Sequence, residues 1–247
     1  MWFPGYYKIA WWRAGRALSA GQKAKAVRIL ESLVRHRPKD PMAWLSYAKM
    51  LVRLGEGSDA ERLLRRALAL HPDSLFLRSL FADVLYNAWD FDEARREWED
   101  IRRDHPEAPD SYKGLAGIAL YGGDWKRVSQ LIDESLARHP DPYMLMDTAI
   151  LLAAVPAERG RAKDLLLQVT QAPKLRRDPT PHLLLSMLLE ESDAEASAEH
   201  MAIARKHWHR GPPGTLAYLQ SRTRERLRSG TLDPLKEPAA SQAEDVE

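Results

Sequence analysis

Three histidines recur at a fixed spacing in this chain, and histidine is a common ligand for zinc. His71, His105 and His139 each stand directly before a proline and lie 34 residues apart. Zinc ligands must converge to within about 2.1 Å of one ion. If each histidine belongs to a separate copy of a repeated unit, neighbouring rings lie roughly 20 Å apart, at about 10 Å for each packed helix. The spacing therefore predicts helix ends rather than a metal site.

A second group of histidines lies further along the chain. His200, His207 and His209 are close in sequence, but only His200 and His207 share a helical face, two turns apart. Zinc pairs on a helix favour a separation of four residues with a carboxylate nearby. We therefore expect no metal and no cofactor at this cluster.

Carboxylates are concentrated between residues 90 and 104, where paired acids could act as general acid and base. The run consists of Asp90, Asp92, Glu93, Glu97, Glu99, Asp100 and Asp104. Catalytic pairs need different surroundings to separate their roles. These acids instead surround Ala94 and Trp98 in a pattern that predicts a solvated helix face. No Gly-rich phosphate loop follows a strand, and no nucleophile–base set stands out, so we predict no catalytic residue and no enzyme activity.

The elements that carry these side chains repeat every 34 residues. Position 1 falls at Tyr7, Pro41, Leu75, Pro109 and Tyr143. Position 8 is then Ala14, Ala48, Ala82, Ala116 and Ile150. Position 24 is Leu30, Leu64, Trp98, Ile132 and Leu166. Position 32 is Pro38, Pro72, Pro106 and Pro140. Self-similarity at this period indicates stacked supersecondary units.

Each recurring residue type has a physical role in a helix pair. Small residues let two helices approach closely, and proline ends the second helix because it lacks an amide donor. Gly21, Gly55 and Gly123 stand at position 15, where the first helix must stop and turn. Trp89 replaces this glycine in the third repeat. Arg13 stands where a buried residue is expected in the first, which leaves the register of that helix open.

The pattern resembles the tetratricopeptide repeat family, whose 34-residue helix–turn–helix units carry aromatic, small and proline landmarks. The resemblance covers residues 7–176 and weakens in the fifth unit. It implies an all-α fold, a right-handed α–α superhelix (solenoid) with C-terminal capping helices. The predicted segments are an N-terminal aromatic segment 1–6, repeats 7–40, 41–74, 75–108, 109–142 and 143–176, a degenerate sixth hairpin 177–211, a capping helix 212–229 and a disordered tail 230–247.

Helix boundaries follow from the same landmarks. The predicted pairs are 7–20 with 23–36, 41–54 with 57–70, 75–88 with 91–104, 109–121 with 125–138, and 143–154 with 158–171. After a proline-containing linker, a sixth pair is expected at 182–191 and 193–208, with Asp193 as the N-cap of its second helix.

Composition agrees with a helical protein in a reducing compartment. The net charge is +2, 45% of the residues are hydrophobic and 29% are charged. The chain has no cysteine, so disulfide and thiolate chemistry are excluded, and we expect a cytoplasmic location. No stretch approaches the roughly 20 apolar residues that a transmembrane helix needs.

Aromatic residues crowd the first twelve positions. They are Trp2, Phe3, Tyr6, Tyr7, Trp11 and Trp12. Because the terminal hydrophobic face of a solenoid must be covered, we interpret them as a cap on the first repeat. The alternative is an interfacial membrane anchor with Lys8 and Arg13 beside the headgroups, which would make the protein an accessory subunit of a membrane- or envelope-associated assembly.

The resemblance also implies where a partner binds, because in the family the first helix of each pair lines a concave groove. The implied groove residues are Trp11, Leu45, Lys49, Val52, Arg53, Phe76, Asp83, Tyr86, Asn87, Asp110, Lys113, Leu120, Tyr121 and Asp147. Such a mixed lining suits a peptide or helix with apolar anchors. The alternative is that the chain's own last helix, residues 215–228, fills part of the groove.

The sequence therefore predicts a non-catalytic scaffold or adaptor that binds a protein or peptide of unspecified identity. Nucleic-acid binding is a second alternative, since residues 1–40 contain nine Lys or Arg. The near-neutral total charge disfavours it. Peripheral membrane association and homo-oligomerisation stay open.

Overall fold

The computed structural model describes residues 6–138 and 141–208, and within these ranges all regular structure is helical. The α-helices are α1 (Tyr6–Ser19), α2 (Lys23–His36), α3 (Pro41–Arg53), α4 (Gly57–Leu70), α5 (Leu75–Asn87), α6 (Phe91–Asp104), α7 (Pro109–Tyr121), α8 (Trp125–Arg138), α9 (Pro142–Ala153), α10 (Arg159–Gln171), α11 (Pro179–Leu189) and α12 (Ala194–His207), with a short 3-10 helix at Pro156–Glu158.

The all-α fold is confirmed, and the ten helices predicted for the five repeats begin and end within one residue of those observed. Helix α11 differs, because it begins at Pro179 rather than at residue 182. Asp178 caps it by accepting a hydrogen bond from the Thr180 amide at 2.8 Å. Proline is tolerated in a first turn, where amides have no intrahelical partner. Residues 1–5, the predicted capping helix 212–229 and the predicted tail 230–247 lie outside the described residues.

The chain divides into two compact units, residues 1–114 and 115–247. In the first unit, α3 packs against α1, α2, α4 and α5, and α5 packs in addition against α6. The first helices of successive pairs therefore form a contiguous layer, α1–α3–α5. In the second unit, α9 packs against α8, α10 and α11, and α11 packs against α12.

The core of the first unit consists of the residues that repeat. Ala14, Ala48 and Ala82 are fully buried at position 8, where a larger side chain would hold the helices apart. Arg13 is exposed, while Ala14 and Ala17 beside it are buried. The register of α1 is therefore that of the other first helices.

The turns between paired helices use the left-handed backbone region. Gly21, Gly55 and Gly123 have φ values of 74°, 78° and 73°, which glycine adopts without steric cost. Trp89 adopts the same conformation with φ 67°. Its ring lies 5.4 Å from the ring of Phe91, so an aromatic contact accompanies the strained residue.

The third repeat also contains the largest fully buried side chain, Trp98, where the other repeats have leucine or isoleucine. The indole lies against Gly114 of α7. A Cβ atom added at Gly114 would come within 2.3 Å of the indole nitrogen. The absence of a side chain at Gly114 therefore provides the space that Trp98 fills.

Three first helices are linked to the loop that precedes them by the same type of hydrogen bond. Trp44 donates its indole N–H to the carbonyl of Pro38 at 2.8 Å, and the Tyr112 hydroxyl donates to the carbonyl of Pro106 at 3.2 Å. In α11, Nε2 of His182 lies 3.3 Å from the carbonyl of Arg176. Each pair is six residues apart, so the histidine replaces the aromatic donor of the earlier repeats.

Candidate partner-binding surface

The layer formed by α1, α3 and α5, together with the first turn of α7, presents most of the predicted groove residues. We call this the first-helix surface. Its exposed members are Lys49, Val52, Arg53, Phe76, Asp83, Asn87 and Asp110, and its half-buried members are Trp11, Tyr86 and Lys113. These ten side chains all belong to the first unit, so one compact body carries them.

Two leucines of the predicted set are buried instead. Leu45 lies in α3, which is covered by helices on several sides, and Leu120 has no exposed surface. The prediction that these residues line an open groove is therefore corrected, because their side chains contribute to packing beneath the surface. Tyr121 is exposed and Asp147 is half-buried, and both belong to the second unit.

Asp83 is the electrostatic centre of the first-helix surface. Burial and the nearby Asp110 raise the pKa of its carboxyl group to about 6, against the opposing effect of Lys113 and Lys49. The side chain still contacts solvent. Perturbed carboxyl groups of this kind are candidates for functional sites.

The groups around Asp83 come from three helices, α3, α5 and α7. Lys113 lies 3.7 Å from Asp110, measured from Nζ to Oδ1. Asn87 donates a hydrogen bond from its side-chain amide to the backbone carbonyl of Asp83 at 2.7 Å. The surface thus contains two carboxylates and two ammonium groups, which can orient a polar or charged segment of a ligand.

An apolar region lies beside these charges. Phe76 is 66% exposed and stands seven residues before Asp83 on α5, which places both on one helix face. Val52 of α3 is also exposed. An exposed aromatic side chain next to convergent polar groups is the usual composition of an energetic anchor in protein recognition.

The repeating histidines lie at helix ends. His71 and His105 are the C-cap residues of α4 and α6. Nε2 of His71 lies 3.1 Å from the carbonyl of Pro38, and Nδ1 of His105 lies 3.3 Å from Glu107. In the described part of the chain, no group of three or more metal-binding side chains converges. His139 and His209 lie outside the described residues.

His200 pairs with a residue that the sequence analysis missed. Its Nδ1 atom lies 2.9 Å from Nδ1 of His182 in α11. Since Nε2 of His182 faces a carbonyl, it must carry the proton, and His200 is then the donor between the rings. Burial lowers the pKa of both imidazoles. The signal for this pair was the position of His182, which matches that of Trp44 and Tyr112.

The acidic run of α6 is more extensively paired than a freely solvated face. Arg65 of α4 makes two hydrogen bonds with Glu93, at 2.8 and 2.6 Å. Arg78 of α5 contacts Glu97 at 3.4 Å and Asp104 at 3.2 Å. The interpretation of this run as simply solvated is therefore corrected, because three of its carboxylates, Glu93, Glu97 and Asp104, pair with arginines of neighbouring helices.

Comparison with known proteins supports the same architecture. The family model for the tetratricopeptide repeat matches residues 17–82 and 51–116. A tetratricopeptide repeat protein from Parabacteroides merdae superposes with a TM-score of 0.66 at 14% identity, covering 91% of this chain and 85% of the other. Yeast Tom70 gives 0.64 at 15% identity, covering 83% and 43%. Pseudomonas aeruginosa pilF gives 0.57 at 19% identity, covering 87% and 96%.

No curated protein matches the sequence. None of the helices in the described ranges has the length and apolar character needed to cross a bilayer. The structural likenesses, at such low identity, concern the fold. The family match identifies residues 17–116 as tetratricopeptide repeats, and the helix pairs observed there recur with the same 34-residue period.

Proposed function

We propose that this protein is a non-catalytic scaffold or adaptor that binds a peptide or helix of a partner protein on its first-helix surface. The supporting observation is the exposed ring of Phe76 on the same face of α5 as the Asp83 carboxyl group, whose pKa is raised to about 6. Tetratricopeptide repeat proteins bind protein or peptide partners in general. The absence of cysteine supports a cytoplasmic location.

The geometry suggests how the surface discriminates between ligands. Phe76 and Val52 supply apolar contact area, whereas Asp83, Asp110, Lys49 and Lys113 favour a ligand segment with complementary charges. A cationic group placed beside Asp83 stabilises its ionised form. Binding of such a segment therefore releases a proton near pH 6 and strengthens as the pH rises through that value.

The test is affinity capture with the wild-type protein and with a Phe76→Ala, Asp83→Asn double variant, followed by affinity measurement with the recovered partner. Leu70→Ala is the matched control, because Leu70 is 58% exposed but lies on α4, a second helix. We expect the double variant to lose binding at least tenfold and the control to retain it. Equal affinity of wild type and double variant would show that the first-helix surface is not the site.

The exposed face of α1 favours a second candidate, an accessory role at a membrane or envelope assembly. Ile9 and Trp12 are both about three-fifths exposed, and Lys8, Arg13 and Arg16 are exposed on the same helix. Such a combination suits a headgroup interface. Sedimentation with anionic lipid vesicles tests it: an Ile9→Asp, Trp12→Asp variant should lose sedimentation, and wild-type protein that stays in the supernatant contradicts the idea.

A further inference from the structure

One arginine links the second helices of repeats two and three, α4 and α6. Arg65 extends from α4 across α5, with its guanidinium carbon 4.8 Å from the centroid of the Phe81 ring. It reaches α6, where it binds both carboxylate oxygens of Glu93 at 2.8 and 2.6 Å. Stacking on an aromatic ring and bidentate pairing both use the planar shape of guanidinium.

In the second unit, the same two repeat positions again join two second helices, but the acid and the arginine have changed places. Asp133 of α8 occupies the repeat position of Arg65, and Arg161 of α10 occupies that of Glu93. These two side chains form an ion pair. The positions are therefore suited to one acid and one arginine, in either order.

The junction between repeats one and two has neither arrangement. Its residues are Glu31 of α2 and Asp59 of α4, both acidic, and Tyr47 of α3 takes the place of Phe81. A cleft of about 610 Å³ lies here between α2 and α4, with Tyr47, Trp44 and Leu51 of α3 in its lining. This volume falls in the range of ordinary ligand sites.

The cleft is lined by three acids, Glu31, Glu56 and Asp59, and three arginines, Arg35, Arg62 and Arg66, and the acids have the larger effect on Tyr47. Burial raises the pKa of its phenol, and Glu31, Asp59 and Glu56 raise it further against a smaller opposing effect of Arg66. Glu31 and Asp59 each contact an arginine of their own helix, Arg35 and Arg62. Those pairs are largely solvent-exposed, and exposed pairs within one helix are weak.

We propose that this cleft binds an arginine side chain of a partner polypeptide, stacked on Tyr47 between Glu31 and Asp59. The bound guanidinium would occupy the place that Arg65 occupies over Phe81 beside Glu93. The apolar lining accommodates the aliphatic stem of the arginine. Lysine fits less well, because its ammonium group can neither stack as a plane nor pair in bidentate fashion. This site lies between α2 and α4 on one side of α3, and none of its lining residues belongs to the first-helix surface.

The first experiment measures binding of three small probes to the full chain by NMR, following the indole N–H of Trp44. The probes are N-acetyl-L-arginine amide, its lysine counterpart and its citrulline counterpart, which is uncharged and nearly isosteric with arginine. We expect arginine to bind at least tenfold more tightly than citrulline, with lysine in between. Equal binding of arginine and citrulline, or no binding of arginine, overturns the proposal.

Charge-reversal variants test whether probe binding depends on this site or on the acidity of the protein surface in general. Glu31→Arg places an arginine opposite Asp59 and should abolish probe binding while raising the unfolding midpoint. Arg65→Glu should open the cleft over Phe81, create a second probe site and lower the midpoint. Asp73→Arg makes the same charge change in an exposed loop and should leave binding unchanged. Undiminished binding by the Glu31→Arg protein, or equal loss in the Asp73→Arg protein, contradicts the assignment.

Discussion

The second and third repeats share one helix-pair arrangement but fill it with different residues. The turn residue is Gly55 in one and Trp89 in the other, and the buried residue at position 24 is Leu64 or Trp98. Each departure in the third repeat is matched by a second residue: Phe91 contacts Trp89, and Gly114 makes room for Trp98. The difference shows that complementary pairs, rather than single landmark residues, specify the helix pair.

The largest expected effect is at Gly114. Gly114→Ala brings a methyl group into the rigid indole of Trp98, and overpacking of this kind costs about 2–3 kcal/mol, more than the ~1 kcal/mol gained from helix propensity. The measurement is the free energy of unfolding in urea. Gly15→Ala is the control, since nothing lies within 4 Å of its added Cβ, and it should be neutral or stabilising.

A double-mutant cycle sharpens the same test. Trp98→Leu introduces the leucine that the second repeat has at this position and removes the clash. In that background, the loss in free energy of unfolding caused by Gly114→Ala should be smaller by at least ~1 kcal/mol. Additive effects of the two substitutions would mean that Trp98 and Gly114 do not act as a pair.

The next effect concerns the turn of the third repeat. Trp89→Ala removes the contact with Phe91 but keeps the left-handed backbone, and we expect a loss of about 2 kcal/mol. Trp89→Gly removes the contact and the strain together, so it should be about 1 kcal/mol more stable than the alanine variant. Thermal or urea unfolding distinguishes the two. An alanine variant as stable as the glycine variant would show that the turn carries no strain.

Most of the fold was predictable because helix ends and close contacts depend on residue types that recur every 34 positions. The residues of position 8, the turn residues of position 15 and the prolines of position 32 predicted ten helices to within one residue. The pairings that a single position cannot reveal were missed. Trp98 and Gly114 belong to different repeats, and His182 and His200 to the two helices of the sixth pair, so both contacts depend on how two helices pack. Leu45 was misplaced for a related reason, because α3 is covered from several sides.

A smaller effect is expected at Asp83, which occupies the position of Lys49 in the preceding repeat. Its folded pKa of about 6 exceeds the ordinary aspartate value of 3.8, so the folded state binds more protons between those pH values and stability falls as pH rises through them. Asp83→Asn should remove this slope and stabilise the protein at pH 7 by about 1 kcal/mol or less, given solvent screening. Identical unfolding curves of both proteins from pH 4 to 7 would contradict the assignment.

The smallest effect should come from reversing the bridge between α4 and α6. The double variant Arg65→Glu, Glu93→Arg adopts the polarity that Asp133 and Arg161 use in the second unit. We expect its stability to lie within about 0.5 kcal/mol of wild type, and Arg65→Glu alone to cost about 1 kcal/mol. Unfolding in low salt measures both. A reversed pair as unstable as the single variant would show that the polarity is not interchangeable.

The hydrogen bond between His182 and His200 gives the α11–α12 hairpin a sensitivity to acid. A proton added to His182 would leave two N–H groups facing each other across 2.9 Å. Because the folded pKa values of both rings are lowered, their stabilising contribution is complete above about pH 6.5 and decreases as the pH falls below it. The corresponding bonds of Trp44 and Tyr112 contain no imidazole. Mild acidification should therefore loosen α11 and α12 while the earlier hairpins keep their amide-exchange protection.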